Sequence, residues 1–186
     1  MNATFNLNNE RIKNIASNFK IHTESITLLK DGYDALIKNV PYQYLAHIMR
    51  TMEDYIRKNV EKAEYFRITC MPTEESKDKL KDLACATYQK KYSFDIVYDR
   101  NMSETRKKVC IAYELGHLWL VIKTNKEYES KHEPLSSIYG LLIMLHKLDF
   151  QNQNSKTFTE EELIQEFLFI MNRNDGKYHT SQIFDR

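Results

Sequence analysis

A tyrosine, a glutamate and a histidine lie at helical spacing within residues 106–122, which read RKKVCIAYELGHLWLVI. On a helix, Tyr113, Glu114 and His117 share one side, because residues three and four apart are neighbours there. This spacing is close to the H-E-x-x-H pattern, in which two histidines hold zinc and the glutamate is a general base. Tyr113 stands in the place of the first histidine. A phenol, with an ordinary pKa of about 10, is a poor zinc ligand unless the metal deprotonates it.

The segments around this patch predict a mixed α+β fold. Apolar periodicity and start signals predict helices over 9–19, 33–40, 41–60, 72–88, 103–122, 134–148 and 159–172. Alternating apolar and polar residues predict strands at 65–70 and 92–98. A turn is expected at 99–102, Ser103 is expected to cap the central helix, and Thr159 with Glu162 forms a capping box. The predicted inward residues of the first helix and of the 41–60 helix are Ile12, Ile15, Ala16, Phe19, Leu45, Ile48, Met49, Met52, Tyr55 and Ile56.

Charge and cysteine content limit the function classes. The net charge of +1 gives no electrostatic attraction to nucleic acid or to an acidic membrane. The N-terminus has no apolar signal segment and no apolar run is long enough to span a bilayer, so we expect a cytoplasmic protein.

Cys70, Cys85 and Cys110 form no CxxC pair and are predicted to be buried free thiols in a reducing compartment. The sequence shows neither a nucleophile–base set nor a glycine-rich phosphate loop.

The order of elements around the patch resembles the ImmA/IrrE family of zinc metallopeptidases. That family shows a strand, a turn, an arginine, and then a helix that carries H-E-L-G-H. The matching residues here are the strand 94–98, Arg106, Ile111, Ala112, Glu114, Leu115, Gly116 and His117, followed by the apolar run 138–144. The resemblance covers residues 92–147 well and 64–91 loosely, and it does not extend to 1–63.

The resemblance implies a zincin-like architecture. We expect a small sheet packed against several helices, with the motif helix buried at the centre. Residues 64–172 would form this metallopeptidase-like domain. Residues 1–63 would add a mainly helical region of unknown role, and 173–186 a mobile tail.

The resemblance also assigns roles to single residues. Glu114 would be the general base and His117 a metal ligand, with Arg106 in support. The family's third ligand is a glutamate at the start of the next helix, where Glu133 is the nearest carboxylate here, about two positions early. His132 is a substitute ligand, and Tyr113 is a ligand only if a metal deprotonates it. We therefore expect zinc to be bound weakly or not at all.

The same patch also has a structural interpretation. His117 could be hydrogen-bonded inside a decayed site, and the Glu114 carboxylate would then need a partner, such as the Tyr113 hydroxyl or Arg106. Cys110 precedes His117 by two helical turns, about 10 Å along the axis, so the two cannot share one metal.

Two function classes remain open, and the sequence does not decide whether the chain is an enzyme. The first is a catalytically degenerate protein that acts as a regulatory protein-binding module. The alternative is an active zinc-dependent endopeptidase. In the resembled family, the partner or substrate is often a helix-turn-helix repressor or an antitoxin, in stress response or the control of mobile elements. A cytosolic protein of that kind is the expected partner in either case.

Overall fold

A computed structural model describes residues 9–21, 27, 30–31, 45–60, 63–73, 85–90, 93–124, 138–145 and 159–174. Within those ranges the elements, in chain order, are α1 (Asn9–Asn18), α2 (Leu45–Asn59), β1 (Arg67–Thr73), β2 (Cys85–Lys90), β3 (Ser93–Asp99), α3 (Glu104–Thr124), α4 (138–145) and α5 (Glu160–Asn174). Residues 27, 30 and 31 are also helical. The prediction of a mixed α+β protein with a small sheet and several helices is confirmed.

The described strands form one sheet in the order β1-β3-β2. β1 runs parallel to β3, with Ile68 opposite Phe94 and Cys70 opposite Ile96. β2 runs antiparallel to β3 and is joined to it by two residues, so these two strands form a hairpin. The strands predicted at 65–70 and 92–98 are confirmed, with ends shifted by up to three residues.

The helix predicted over 72–88 is wrong at both of its ends. Residues up to Thr73 belong to β1, and residues from Cys85 to Lys90 form β2. The apolar spacing in this window fits a helix, but β2 is held by pairing with β3, a contact that local periodicity does not register. Residues 74–84 lie outside the described residues.

The predicted helix starts are confirmed where the structure describes them. The Ser103 hydroxyl accepts a hydrogen bond from the Arg106 amide at 3.3 Å, as an N-cap should. The Thr159 amide donates to Glu162 Oε2 at 2.7 Å, and the Glu162 amide donates to Thr159 Oγ1 at 3.2 Å. The Thr159 amide and, more weakly, the Thr159 hydroxyl donate to the Glu162 carboxylate and so lower the pKa of Glu162. The predicted turn is closed by the Met102 amide, which donates to the Asp99 carbonyl.

The predicted apolar faces of α1 and α2 are also confirmed. The residues buried on these two helices include Ile12, Ile15, Ala16, Ile48, Met52 and Ile56, and Phe19 just beyond α1 is buried too. The helix predicted over 33–40, the start of the helix predicted over 41–60, both ends of the helix predicted over 134–148, and the tail beyond 174 lie outside the described residues.

The core is built around α3. Every residue from Val109 to Leu120 is buried, and α3 contacts α2, α5, β2 and β3. All of α4 is buried as well. The expectation of a buried central motif helix is therefore confirmed. Among the helices that the structure describes, none is both long and apolar enough to cross a membrane.

Candidate functional site

The structure brings Tyr113 and His117 into direct contact on α3. Their ring centroids are 4.7 Å apart and the ring planes meet at 71°, an edge-to-face arrangement. Tyr113 has no exposed surface, and His117 retains 6%. The two residues that occupy the histidine positions of the zinc pattern are thus packed ring against ring inside the core.

Burial decides the electrostatics of this pair. Removal of the imidazole from water lowers the pKa of His117 to about 3, so the ring is neutral at physiological pH. A neutral imidazole is the form that binds metals, and it is also the form that a dry core tolerates. The protonation state of His117 is therefore compatible with both the ligand and the structural interpretation.

Glu114 lies on the same helix and has no exposed surface. A general base must come within hydrogen-bond reach of the proton that it removes, directly or through one water. Here a substrate or a nucleophilic water would have to enter a packed core to meet the carboxylate. The side chain predicted to do the chemistry is present, but it is enclosed.

Helices α4 and α5 pack against α3 at Tyr113. Its ring lies 6.2 Å from the Phe167 ring of α5, centroid to centroid. On α4, a Cβ added at Gly140 would lie 2.8 Å from the Tyr113 Cα and 2.6 Å from the Ala112 carbonyl oxygen. Tyr113 therefore fills a space that is bounded by its own helix and by two others.

Neither partner proposed for Glu114 from the sequence is found there. The Tyr113 hydroxyl is buried and forms no hydrogen bond with any residue in the described ranges. Arg106 lies two turns earlier and forms an ion pair with Glu166 at 3.6 Å. Its guanidinium also lies over the Phe169 ring, 5.3 Å from the centroid. The suggestion of the Tyr113 hydroxyl is therefore wrong, and the contacts described for Arg106 join α3 to α5.

The residues available for a zinc site do not complete one within the described chain. A catalytic zinc needs three protein ligands and a water. Among the described residues, no three His, Cys, Asp or Glu side chains converge on one point, and the Tyr113 ring packs on the His117 imidazole. Glu133 and His132, the candidates for the third ligand, lie outside the described residues. The described residues therefore do not fit a catalytic zinc.

Two cysteines, Cys70 and Cys110, have described side chains, and both lie outside the patch of Tyr113, Glu114 and His117. Cys110 on α3 is buried and forms no disulfide, as predicted for that residue. Cys70 is also free but only half-buried, and its Sγ lies 3.8 Å from Met49 Sδ. Burial raises the pKa of Cys70 to about 11, so this thiol is a poor nucleophile.

Three contacts that define the surroundings of the patch were not predicted from the sequence. Phe167 packs on Tyr113, Glu166 holds Arg106, and Gly140 lets α4 approach α3. The signal for Gly140 was present, because a lone glycine inside an apolar helical run often marks a close packing contact. The other two contacts join residues about 50 to 60 positions apart, and no local pattern reports them.

Comparison with known proteins adds no assignment, since the chain matches no family model, no curated protein and no solved structure. The resemblance of residues 92–147 to the ImmA/IrrE family stays a prediction from motif and element order.

Proposed function

We propose that the chain has a zincin-like, ImmA/IrrE-like arrangement and acts as a regulatory protein-binding module that does not cut its partner. The observation that carries this proposal is the buried contact between the Tyr113 and His117 rings. In the zinc pattern the residues at these two positions bind the metal from successive turns of one helix. Here the two side chains contact each other, and the Phe167 ring of α5 packs beside Tyr113.

The loss of chemistry follows from this packing. Without a metal-bound water, Glu114 has no nucleophile to activate. Tyr113 contributes a hydrophobic ring to the contact between α3 and α5. A residue that stabilises the core in this way has replaced one that the resembled family uses for metal binding.

Protein binding does not depend on the metal. The strand that precedes α3, Arg106 and the run from Glu114 to His117 all remain in place around the lost ligand position. Contacts between a partner and a sheet or groove use backbone groups and shape. The near-neutral net charge favours a protein partner over nucleic acid. A cytosolic helix-turn-helix repressor or antitoxin is the partner class that the resemblance implies.

The test combines capture with cleavage. The tagged chain is used to capture proteins from its native cell, and each captured protein is then incubated with pure chain, with and without a chelator. We expect capture without cleavage, and no effect of the chelator. Glu114→Gln, which keeps the shape of the side chain and removes its charge, should leave partner affinity nearly unchanged.

Cleavage of a captured protein would give the opposite result. If a chelator stops that cleavage and Glu114→Gln abolishes it, the proposal is overturned. That result would restore the alternative, an active zinc-dependent endopeptidase in which Glu133 or His132 completes the metal site with His117.

A further inference from the structure

Among the described residues, the outer side of β1 offers few free N–H donors to another strand. β1 is a terminal strand of the described sheet, and terminal strands offer unpaired N–H and C=O groups to other chains. The N–H groups of a strand point alternately to its two sides, so those of Ile68 and Cys70 share one side with position 72. The Ile68 amide donates to Glu53 Oε1 at 2.8 Å, which identifies this side as the one facing away from β3.

Glu53 is a buried acceptor held in place for this bond. It lies on α2, and its Oε2 accepts a hydrogen bond from Arg57 Nη2 at 2.8 Å. Arg57 also donates to the Phe66 carbonyl, from Nε at 3.0 Å and from Nη2 at 2.7 Å. The Glu53–Arg57 ion pair lies within α2, and its two members bond to the backbone at Ile68 and Phe66, so α2 is joined to the start of β1 and a carboxylate accepts from the outward-facing Ile68 amide. Hydrogen bonds to an ionised acceptor are among the stronger ones in proteins.

Pro72 removes a second donor from the same side. Proline has no N–H, and within sheets it is confined mainly to edge strands, where the missing donor faces outward. Of the outer positions 68, 70 and 72, one is occupied by Glu53 and one has no donor. The Cys70 amide lies between them.

The composition of β1 explains why such protection matters. Its sequence RITCMPT has no acidic residue and several residues that favour strands, and Met71 is 43% exposed. Apart from Pro72, the strand propensity of β1 and its lack of acidic residues favour pairing with another strand at an open edge.

We propose that Glu53 and Pro72 together close the outer edge of β1, so that neither a second copy of the chain nor an extended segment of another protein pairs there. The closure is a side-chain cap at one end of the strand and a missing donor at the other. It holds whether or not the chain binds a partner elsewhere.

The wild-type chain provides the first test, through amide hydrogen exchange followed by NMR. Exchange at Ile68 should be slow, since its amide is bonded to a buried carboxylate. Exchange at Cys70 should be faster than at Thr69 and Met71, whose amides point toward β3. Equal protection of Cys70 and its neighbours would mean that another segment already covers the edge, and this would overturn the proposal.

Variants provide the second test. Glu53→Met removes the acceptor at similar length, and Glu53→Gln is its matched control, because an amide oxygen can still accept from Ile68. Pro72→Thr adds an outward N–H. Met71→Thr is its control, because it changes the same strand without adding a donor. In Glu53→Met, Ile68 exchange should quicken on the order of tenfold or more, as expected for loss of a bond to a charged group.

The decisive measurement is sedimentation over a range of concentrations. Glu53→Met combined with Pro72→Thr should associate more than wild type as concentration rises, whereas Glu53→Gln combined with Met71→Thr should not. A folded double variant that sediments like wild type would overturn the proposal. If Glu53→Met does not fold, the comparison uses the double variant Glu53→Gln with Pro72→Thr. This variant has a neutral, weaker acceptor for the Ile68 amide and an added outward N–H at position 72. It should still associate more than wild type. Absence of that increase would overturn the proposal too.

Discussion

Gly140 of α4 lies so close to Tyr113 of α3 that a Cβ at position 140 would come within 2.8 Å of the Tyr113 Cα. The same Cβ would lie 2.6 Å from the Ala112 carbonyl oxygen. Both atoms belong to the backbone of α3 and cannot move as a flexible side chain can. Because Gly140 has no side chain, α4 can pack closely against α3 beside Tyr113.

Gly140→Ala should therefore destabilise the protein. Elsewhere in a helix this change stabilises, because alanine has the higher helix propensity. Here we expect a loss of about 1–3 kcal/mol from overpacking. Urea denaturation measures the difference, and Gln165→Ala on the exposed face of α5 is the control, which should change stability little. A gain in stability from Gly140→Ala would show that the two helices are further apart than described.

Tyr113→Phe should cost little or nothing. The hydroxyl is buried and makes no hydrogen bond to any described residue, so its removal relieves a desolvation penalty. We expect stability equal to wild type or higher by up to about 1 kcal/mol. Tyr113→Ala should lose about 3–5 kcal/mol, because it also removes the ring from the core. A large loss in Tyr113→Phe would reveal a partner for the hydroxyl.

His117 should make the metal-free protein less stable in mild acid. Its pKa is about 3 in the folded chain and about 6.5 when unfolded, so between these values the unfolded state binds the extra proton. Stability from this residue is present above about pH 6.5 and falls as the pH drops towards 3, by up to about 1.4 kcal/mol per pH unit. His117→Asn should flatten this part of the stability curve in urea denaturation. An unchanged slope would contradict a buried neutral imidazole.

Protein purified without added zinc should contain far less than one equivalent of the metal. His117 alone among the described residues matches a ligand of the zinc pattern, and three protein ligands are usual for a catalytic zinc. Metal analysis by mass spectrometry measures the content. Stoichiometric zinc in the wild type that disappears in His117→Ala would show that this expectation is wrong.

Tyr113→His tests whether α3 can hold zinc once both histidine positions of the pattern are filled. The substitution restores two histidines four residues apart, so zinc affinity should rise if Glu133 or His132 can reach the metal. Isothermal titration with zinc compares the variant with wild type, and the double variant Tyr113→His with His117→Ala is the control. Unchanged affinity would mean that the third ligand has been lost as well.

Local signals predicted much of this protein. The Ser103 cap, the Thr159 and Glu162 capping box and the apolar faces of α1 and α2 are short-range features, because each depends on residues within about two helical turns. Helical spacing likewise predicted that Tyr113 and His117 are neighbours, since i and i+4 positions lie on one side of a helix, and in the structure their rings are in contact.

Only the tertiary structure decided what surrounds those residues. Cys85–Lys90 is a strand because it pairs with β3, although its own spacing favours a helix. Arg106 is held by Glu166 and Tyr113 is covered by Phe167, contacts that join residues 60 and 54 positions apart in the chain. Periodicity reports which face of an element is apolar, but not which distant element will cover it. For that reason the sequence could indicate a motif close to the H-E-x-x-H zinc-binding pattern. Only packing against α4 and α5 determined that the residues of this motif lie enclosed in the core.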